Sequence, residues 1–344
     1  MRISSLVVPA VGLSLVAIFL AWLAVNLFKD WSTFVQLFLT GLTRGSLYAL
    51  VALGYTLVYG ILELINFAHG DVFMMGGMIA ATFAINIFGL GTNPSLGTLV
   101  PVILAALAVA IIGCALLNAT IERIAYRPLR GAPRLVPLIT AIGVSFILQD
   151  VGLIWKGSQP VSLPPETLPH GKIFTLGTCP KCATYTWDRL FVLLITVPVL
   201  LGLVWLVRYT RQGKAMRATA QDKDAAAMMG IDVNRTISFT FFIAGGLAGT
   251  AGVIFAFYST TIRYDTGFTL GLIAFTAAVL GGIGNLPGAV LGALLIGFIQ
   301  DFNEGLSWHA PGPAWTQSIV FGILILILVF RPQGILGERT QEGG

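Results

Sequence analysis

Three places in this sequence combine side chains that could bind, titrate or react. The first is the pair Cys179 and Cys182, which form a C-P-K-C pattern in a polar stretch. Two thiols at this spacing can form a disulfide in an oxidising compartment, stay free, or supply half of a zinc site with His170 and a further ligand. One such pair is too few ligands for zinc by itself. We therefore expect a disulfide first and no metal.

The second place is a polar turn at the edge of an apolar run, with Asn66, Phe67, His69 and Gly70. Asn bonds amide groups and His titrates near neutrality, so these residues could line or gate a route for a polar solute. Alternatively they form a local turn, in which Asn66 and His69 bond nearby backbone and Gly70 supplies the bend. We expect the turn rather than direct contact with a solute; a hinge beside a pathway is the intermediate case.

The third place is Arg44, a strong base inside an apolar run. A charge at such depth usually faces protein or water rather than lipid. It could therefore line a pathway, or it could lie at the outer interface if the span begins later. Asp150, expected on the same side, is its candidate partner.

Other chemistry is not indicated. The three His are scattered, and no cluster of His or acids typical of an enzyme is present. Gly213 and Lys214 lack the upstream glycine and the following hydroxyl of a phosphate-binding loop. We therefore expect no enzyme and no cofactor bound by this chain, and any ATP has to bind a partner. The net charge of +5 does not indicate nucleic-acid binding, because no basic stripe with interleaved aromatics occurs.

The elements that position these residues follow from composition. Of 344 residues, 56% are hydrophobic and only 10% charged, against about 25% charged in soluble domains. The chain is therefore a polytopic membrane protein surrounded by lipid. Apolar runs of roughly the 20 residues that span a bilayer as a helix occur at 6–28, 34–62, 72–88, 98–117, 135–155, 190–207, 237–258, 268–284, 288–306 and 315–330.

These runs predict an all-α transmembrane bundle of about ten spans in a single domain. Eight is the alternative, if the chain around Gly281–Gly288 makes a re-entrant turn. The run 6–28 has no evident cleavage site and is expected to be a retained helix. Pairs of glycines four residues apart predict close helix packing. These are Gly41 and Gly45, Gly245 and Gly249, and Gly284, Gly288 and Gly292.

The basic residues predict the orientation. With the N-terminus inside and strict alternation, 13 of the 20 Lys and Arg fall in inside segments, as expected of cytoplasmic loops. Both termini are then cytoplasmic. An external loop at 156–189, rich in proline, is expected to be an ordered but irregular cap. A cytoplasmic loop spans 208–235.

The cytoplasmic loop is too polar to cross a bilayer and too helix-prone to be a slack linker. Ala225, Met228 and Met229 share one face at helical spacing, and Gly230 suits the end of a helix. The alternative is a basic loop that only fixes topology. The candidate residues for coupling to a partner are Gly213, Arg217, Asp222, Asp224, Ala225, Ala226, Met228, Met229 and Gly230.

The order acid-Ala-Ala-x3-Gly, at Asp224 to Gly230, resembles the coupling motif of the membrane subunits of bacterial ABC importers. The Ile-x-Leu-Pro that follows this motif in the largest importer class is missing, which favours another branch. Four stretches resemble the Liv-type permease of high-affinity branched-chain amino acid importers, specifically the H-like one of two. They are 45–77, with "INFAHG", 121–149, with "YRPLRGAPRL", 274–297, and "PQGIL" at 332–336.

The resemblance implies a type II-like importer fold in the bacterial inner membrane. It also implies a second related permease, two ATP-binding subunits, an extracytoplasmic binding protein, and leucine, isoleucine and valine as substrates. Urea, short amides or polar amino acids are the alternative cargo. An ion-coupled secondary transporter is the alternative class, but it would be expected to carry charges deep in several spans.

Overall fold

The computed structural model describes residues 17, 19–62, 65–92, 94–133, 135–164, 167–168, 171–177, 182–331 and 333–337. Within these ranges the α-helices are α1 (Phe19–Lys29), α2 (Trp31–Leu62), α3 (Ala68–Thr82), α4 (Leu96–Ile121), α5 (Leu135–Lys156), α6 (Trp187–Tyr209), α7 (Arg211–Gln221), α8 (Lys223–Met228), α9 (Val233–Ser259), α10 (Thr266–Gly281), α11 (Leu286–Gly305) and α12 (Thr316–Phe330). A π-helical turn (Phe83–Ile87) extends α3, and α4 continues through a π-helical turn (Glu122–Tyr126) and a 3-10 turn (Arg127–Leu129).

The predicted all-α polytopic bundle is confirmed. Eight of the described helical segments are long and apolar enough to cross a membrane, and α1 and α10 are shorter apolar helices. Together they follow the apolar runs of the sequence; most of the run 6–28 lies outside the described residues. At 16 residues, α10 is about 24 Å long, shorter than the roughly 30 Å of hydrocarbon. It is joined to α11 by a tight turn in which Gly282 and Gly284 adopt φ of 109° and 94°.

The centre of the bundle is α2, which packs against α9, α10 and α11. In lipid no hydrophobic force drives helices together, so close approach has to come from small residues. A Cβ added at Gly45 would lie 2.7 Å from Leu294 Cα, and one added at Gly249 would lie 2.6 Å from the Ala110 carbonyl oxygen. The predicted packing role of these glycines is confirmed. Gly284 is different, because an added Cβ there would meet nothing within 4 Å.

The helices α5, α6 and α12 form the periphery. In the most apolar 18-residue stretch of each helix, only 22%, 22% and 11% of the residues, respectively, are buried. Side chains such as that of Ile154 are largely exposed. Apolar outward faces of this kind suit lipid or a second membrane subunit.

Contacts divide the connecting segments between two ends of the bundle. At one end, strand β1 (Val161–Ser162) pairs with β4 (Thr261–Ile262), and the Trp22 indole donates to the Trp308 carbonyl. At the other end lie α7 and α8, and the Ile335 amide donates to the Leu280 carbonyl. Strict alternation of the spans predicts the same division of the connecting segments between the two ends.

The expectation of an irregular external cap is wrong in part. Strands β2 (Lys172–Leu176) and β3 (Ala183–Thr186) form an antiparallel hairpin in which the rings of Phe174 and Tyr185 stack at 5.4 Å. The Thr184 amide donates to the Gln36 side chain at 2.7 Å, which fixes the hairpin to α2. Because Trp187 already begins α6, the external segment ends earlier than 189. Cys179 lies outside the described residues, so its pairing with Cys182, which directly precedes β3, stays a prediction.

Candidate coupling surface and pathway residues

The cytoplasmic loop predicted at 208–235 folds into α7 and α8 between the ends of α6 and α9. The Thr210 hydroxyl caps α7 by accepting from the Gly213 amide at 3.0 Å. Gly213, Met216 and Thr219 recur every three residues and are buried, and α7 packs on α2, α6 and α9. A Cβ at Gly213 would collide with the carbonyls that end α6. This residue therefore holds α7 in place rather than offering surface.

Helix α8 is held by caps at both ends. The Asp222 carboxylate accepts from the amides of Asp224 and Ala225, both at 2.9 Å. At the other end the Ile231 amide donates to the Ala226 carbonyl at 3.1 Å and the Gly230 amide donates to the Ala227 carbonyl at 3.0 Å. These are the paired bonds of a Schellman motif.

Gly230 adopts the φ of 83° that this motif requires, so the prediction that it ends a helix is confirmed. Two residues later Asp232 starts the next helix, since its carboxylate accepts from the Arg235 amide at 3.0 Å. The connection from α8 to α9 is therefore short, with a hydrogen-bonded cap at each of its ends.

The exposed side of α7 and α8 is basic with an apolar tip. Lys214 and Arg217 are exposed on α7, and Met228 and Met229 are 82% and 83% exposed at the end of α8. Asp224 is exposed beside them, whereas Ala226 is buried and can contribute only by anchoring α8. Two adjacent exposed methionines are adaptable apolar contacts on a rigid support.

Asn66 and His69 occupy a turn that is sealed inside the bundle. The His69 amide donates to the Asn66 carbonyl at 3.1 Å, as the local-turn interpretation predicts. The Asn66 side chain instead accepts from the Tyr126 hydroxyl at 2.7 Å, 60 residues away. The His69 ring is fully buried, edge-on to Tyr55 with centroids 4.9 Å apart. Neither side chain is open to a solute in this conformation.

Gly70 does not supply a bend. It lies inside α3 in helical conformation, and a Cβ there would lie 2.7 Å from Gly271 Cα. Its role is close contact with α10, which corrects the sequence-based expectation.

A cavity of about 10 Å³ lies beside this turn, which is about one water molecule. Phe67 does not line this cavity, but its ring lies 5.9 Å from that of Phe275, which does. The cavity is far too small for an amino acid, so passage at this point would require helices to move apart. Its lining residues are Tyr55, Tyr59, Ile65, Asn66, Phe275, Ala278 and Ile283.

Arg44 is paired with acids of α11 rather than with Asp150. Its guanidinium lies 3.1 Å from an Asp301 oxygen and 2.9 Å from a Glu304 oxygen. Glu304 also accepts from Gln300 and Thr316, both at 3.0 Å. The sequence did hold a signal for this pairing, because Asp301 and Glu304 are two acids three residues apart at the end of the apolar run 288–306.

Two buried carboxylates were left unassigned by sequence reasoning. Asp71, on α3, accepts from the Ser145 hydroxyl of α5. Glu122, at the end of α4, is fully buried and pairs with Arg130. Burial lowers the pKa of the Arg130 guanidinium, and the Glu122 carboxylate opposes that change. Asp71 directly precedes the apolar run 72–88, and Glu122 follows the run 98–117 beside Arg123, so an acid at the edge of an apolar run was the available signal.

No metal site is evident in the described part of the chain, where no three His, Cys, Asp or Glu side chains converge. The long apolar helices together define a polytopic membrane protein, with the polar helices α7 and α8 at one end of the bundle. Residues 37–329 match the family described as the branched-chain amino acid transport system permease component. The chain belongs to this family.

Individual relatives agree with the family assignment. The chain is 40% identical over 311 residues to the high-affinity branched-chain amino acid transport system permease protein BraD of Pseudomonas aeruginosa. It is 39% identical to LivH of Salmonella typhimurium and 38% identical to LivH of Escherichia coli K12. Each alignment covers 90% of this chain and 97% of the relative. The resemblance noted from the sequence motifs is therefore confirmed.

Proposed function

We propose that this chain is the membrane-spanning permease subunit of an ATP-driven importer for leucine, isoleucine and valine. The observation that carries the proposal is the 38–40% identity, over 90% of the chain, to permeases named for branched-chain amino acid transport. The chain is not an enzyme in this proposal. It lies in the bacterial inner membrane with both termini cytoplasmic, as the excess of basic residues on one side favours.

The proposal includes partners. A second related permease completes the translocation pathway, and two ATP-binding subunits supply the energy, because this sequence has no phosphate-binding loop. An extracytoplasmic binding protein delivers the amino acid. ATP binds those partners, and this chain binds no cofactor.

The coupling segment is α7 with α8. Its exposed methionines and basic side chains support docking to an ATP-binding subunit, and its bonded caps support the transmission of force. A nucleotide-driven change in the partner can shift the permease only if the two partner states bind this segment differently. The short link from Gly230 to Asp232 would then pass the movement into α9.

The route for the amino acid is closed in this conformation. Around Asn66 the described residues enclose a water-sized cavity, bordered mainly by aromatic and aliphatic side chains. Such a lining suits the passage of an aliphatic side chain once the helices separate. Asn66 and His69 then act as hinge residues beside the pathway.

The first experiment is to purify the tagged chain from gently solubilised membranes, identify what accompanies it, and reconstitute the complex in liposomes. We expect two ATP-binding subunits and a second permease, and ATP-dependent uptake of leucine when the binding protein is present. A lone homo-oligomer that moves leucine with an ion gradient would refute the proposal. Uptake of urea or glutamine but not of leucine would refute the proposed substrate class.

The coupling role is tested by Gly230→Arg, which strains the α8 cap and adds bulk beside the methionines. We expect normal membrane insertion, loss of ATPase-subunit binding and uptake lower by at least about tenfold, equivalent to 1.4 kcal/mol of binding. Gly157→Arg is the matched control, because Gly157 also has a positive φ, 78°, and open space around it at the opposite end. Equal uptake by the two variants would remove α8 from the mechanism.

A further inference from the structure

A cluster of four side chains joins the start of α9, directly after the coupling segment, to the end of α4. We name Glu122, Arg130, Asn234 and Ser238 the inner clamp. Arg130 donates both to the Glu122 carboxylate and to the Asn234 side-chain oxygen. The Ser238 hydroxyl donates to the other Glu122 oxygen at 2.6 Å. The clamp therefore holds the first two turns of α9 against the segment that follows α4.

The ion pair of the clamp, Glu122 with Arg130, is largely buried, whereas Asn234 lies at its exposed edge. The Glu122 side chain is fully buried and that of Arg130 is 19% exposed. Exposed pairs contribute little and are easily lost, whereas a buried pair resists separation because each charge left alone is heavily penalised. Separating the two helices here would leave the Glu122 carboxylate buried without its partner, at a large cost in free energy.

The clamp lies next to the point where the coupling segment is followed by α9. Asn234 is the second residue of α9 and follows Gly230 by four positions. Between them the Schellman motif of α8 and the Asp232 cap of α9 leave little slack. A displacement of α8 therefore reaches the first turn of α9, where Arg130 holds it.

Beyond the clamp, α9 is tightly packed along its length. The Asn118 amide of α4 donates to the Phe241 carbonyl of α9 at 2.7 Å. A Cβ at Gly76 of α3 would lie 2.8 Å from Gly249 Cα of α9. Helices α3, α4 and α9 thus form one closely packed block, and α3 begins at the Asn66–His69 turn.

From this arrangement we propose that Arg130 is a positioning residue for energy coupling. By fastening the base of α9 to α4, it makes the coupling segment and the α3–α4–α9 block move as one body. This proposal rests on the proposed function as an ATP-driven permease. It assigns Arg130 a role beyond setting topology, which any basic residue in the same loop could fulfil.

The test uses the full reconstituted complex and measures ATP hydrolysed and leucine taken up in the same liposomes. We expect Arg130→Gln to keep ATPase-subunit binding and ATP hydrolysis while leucine transported per ATP falls at least about fivefold, the lower end of coupling between sites. Arg127→Gln removes the same charge from an exposed neighbour and should leave the ratio unchanged. A merely structural defect would reduce the amount of folded complex and both rates together, not their ratio.

If Arg130→Gln fails to insert, the double variant Glu122→Gln with Arg130→Gln removes both buried charges and keeps hydrogen-bonding groups, and the same fall in the ratio is expected. A wild-type ratio in whichever variant inserts, or an equal fall in Arg127→Gln, would overturn the role of Arg130. A wild-type complex without ATP-dependent uptake would instead refute the proposed function. The two failures are therefore distinguishable.

Discussion

The Arg44 cluster allows a prediction with a worked magnitude. Replacing Arg44 by Met keeps an apolar stem of similar length but removes the guanidinium. Asp301, whose side chain is 4% exposed, then keeps a buried carboxylate without its counter-charge. Glu304 is affected less, because its side chain is 25% exposed and it still accepts from Gln300 and Thr316.

Breaking a buried ion pair from one side costs about 3–5 kcal/mol. Since Arg44 is itself 27% exposed, the lower end applies, and we expect Arg44→Met to lower stability by about 3 kcal/mol. With an unfolding entropy of about 2 cal/mol/K per residue, this corresponds to a fall in Tm of about 4 °C. Adding Asp301→Asn removes the stranded charge and should restore about half of the loss.

The assay is thermal unfolding of the purified complex in detergent at one fixed scan rate, because membrane complexes commonly unfold irreversibly. Arg263→Met is the control, since Arg263 lies at the same end in an exposed ion pair with Asp265 and its loss should change Tm little. The reasoning fails if Arg44→Met unfolds within about 1 °C of wild type, or if Asp301→Asn destabilises the Arg44→Met background further. Restored stability without restored uptake would indicate that Arg44 contacts the cargo route.

Two further predictions concern packing and the external loop. Gly249→Ala should destabilise the protein by about 1–3 kcal/mol, because the added Cβ would press on the Ala110 carbonyl. Gly202→Ala is the control and should not lower Tm, because a Cβ there would meet nothing within 4 Å. Equal Tm values for the two variants would contradict the packing argument. Cys179→Ser combined with Cys182→Ser should lower stability by up to about 2 kcal/mol for so short a loop and leave leucine uptake nearly intact. Thiol labelling reports whether the two cysteines are oxidised. Loss of uptake at an unchanged Tm would show that the pair serves transport rather than stability.

Much of the architecture was predictable because its causes are local. Long apolar runs have to be helices in lipid, since no other backbone form satisfies its own hydrogen bonds. The ends of α8 were predictable as well. Asp222 caps amides two and three residues ahead, and Gly230 adopts a conformation that glycine tolerates best. The sequence motifs also indicated the family, because together they extend over most of the chain.

The external segment shows where local reasoning reaches its limit. Its prolines suggested an irregular cap, yet Lys172–Leu176 and Ala183–Thr186 pair as a hairpin that is fixed to Gln36 of α2. The strands are short, and pairing across an intervening loop leaves little trace in a pattern of residue types.

The sequence by itself determined the lipid environment, the helices, the polar segment between two spans, and the caps that bound it. Only the tertiary structure decided that Arg44 meets Asp301 and Glu304, that Gly70 packs rather than bends, and that Glu122 is sealed beneath Arg130. These facts depend on how each helix is rotated about its axis and on the register between helices. In a chain whose helices are apolar on nearly every face, hydrophobic periodicity carries little of that information, because lipid and protein interior select the same side chains.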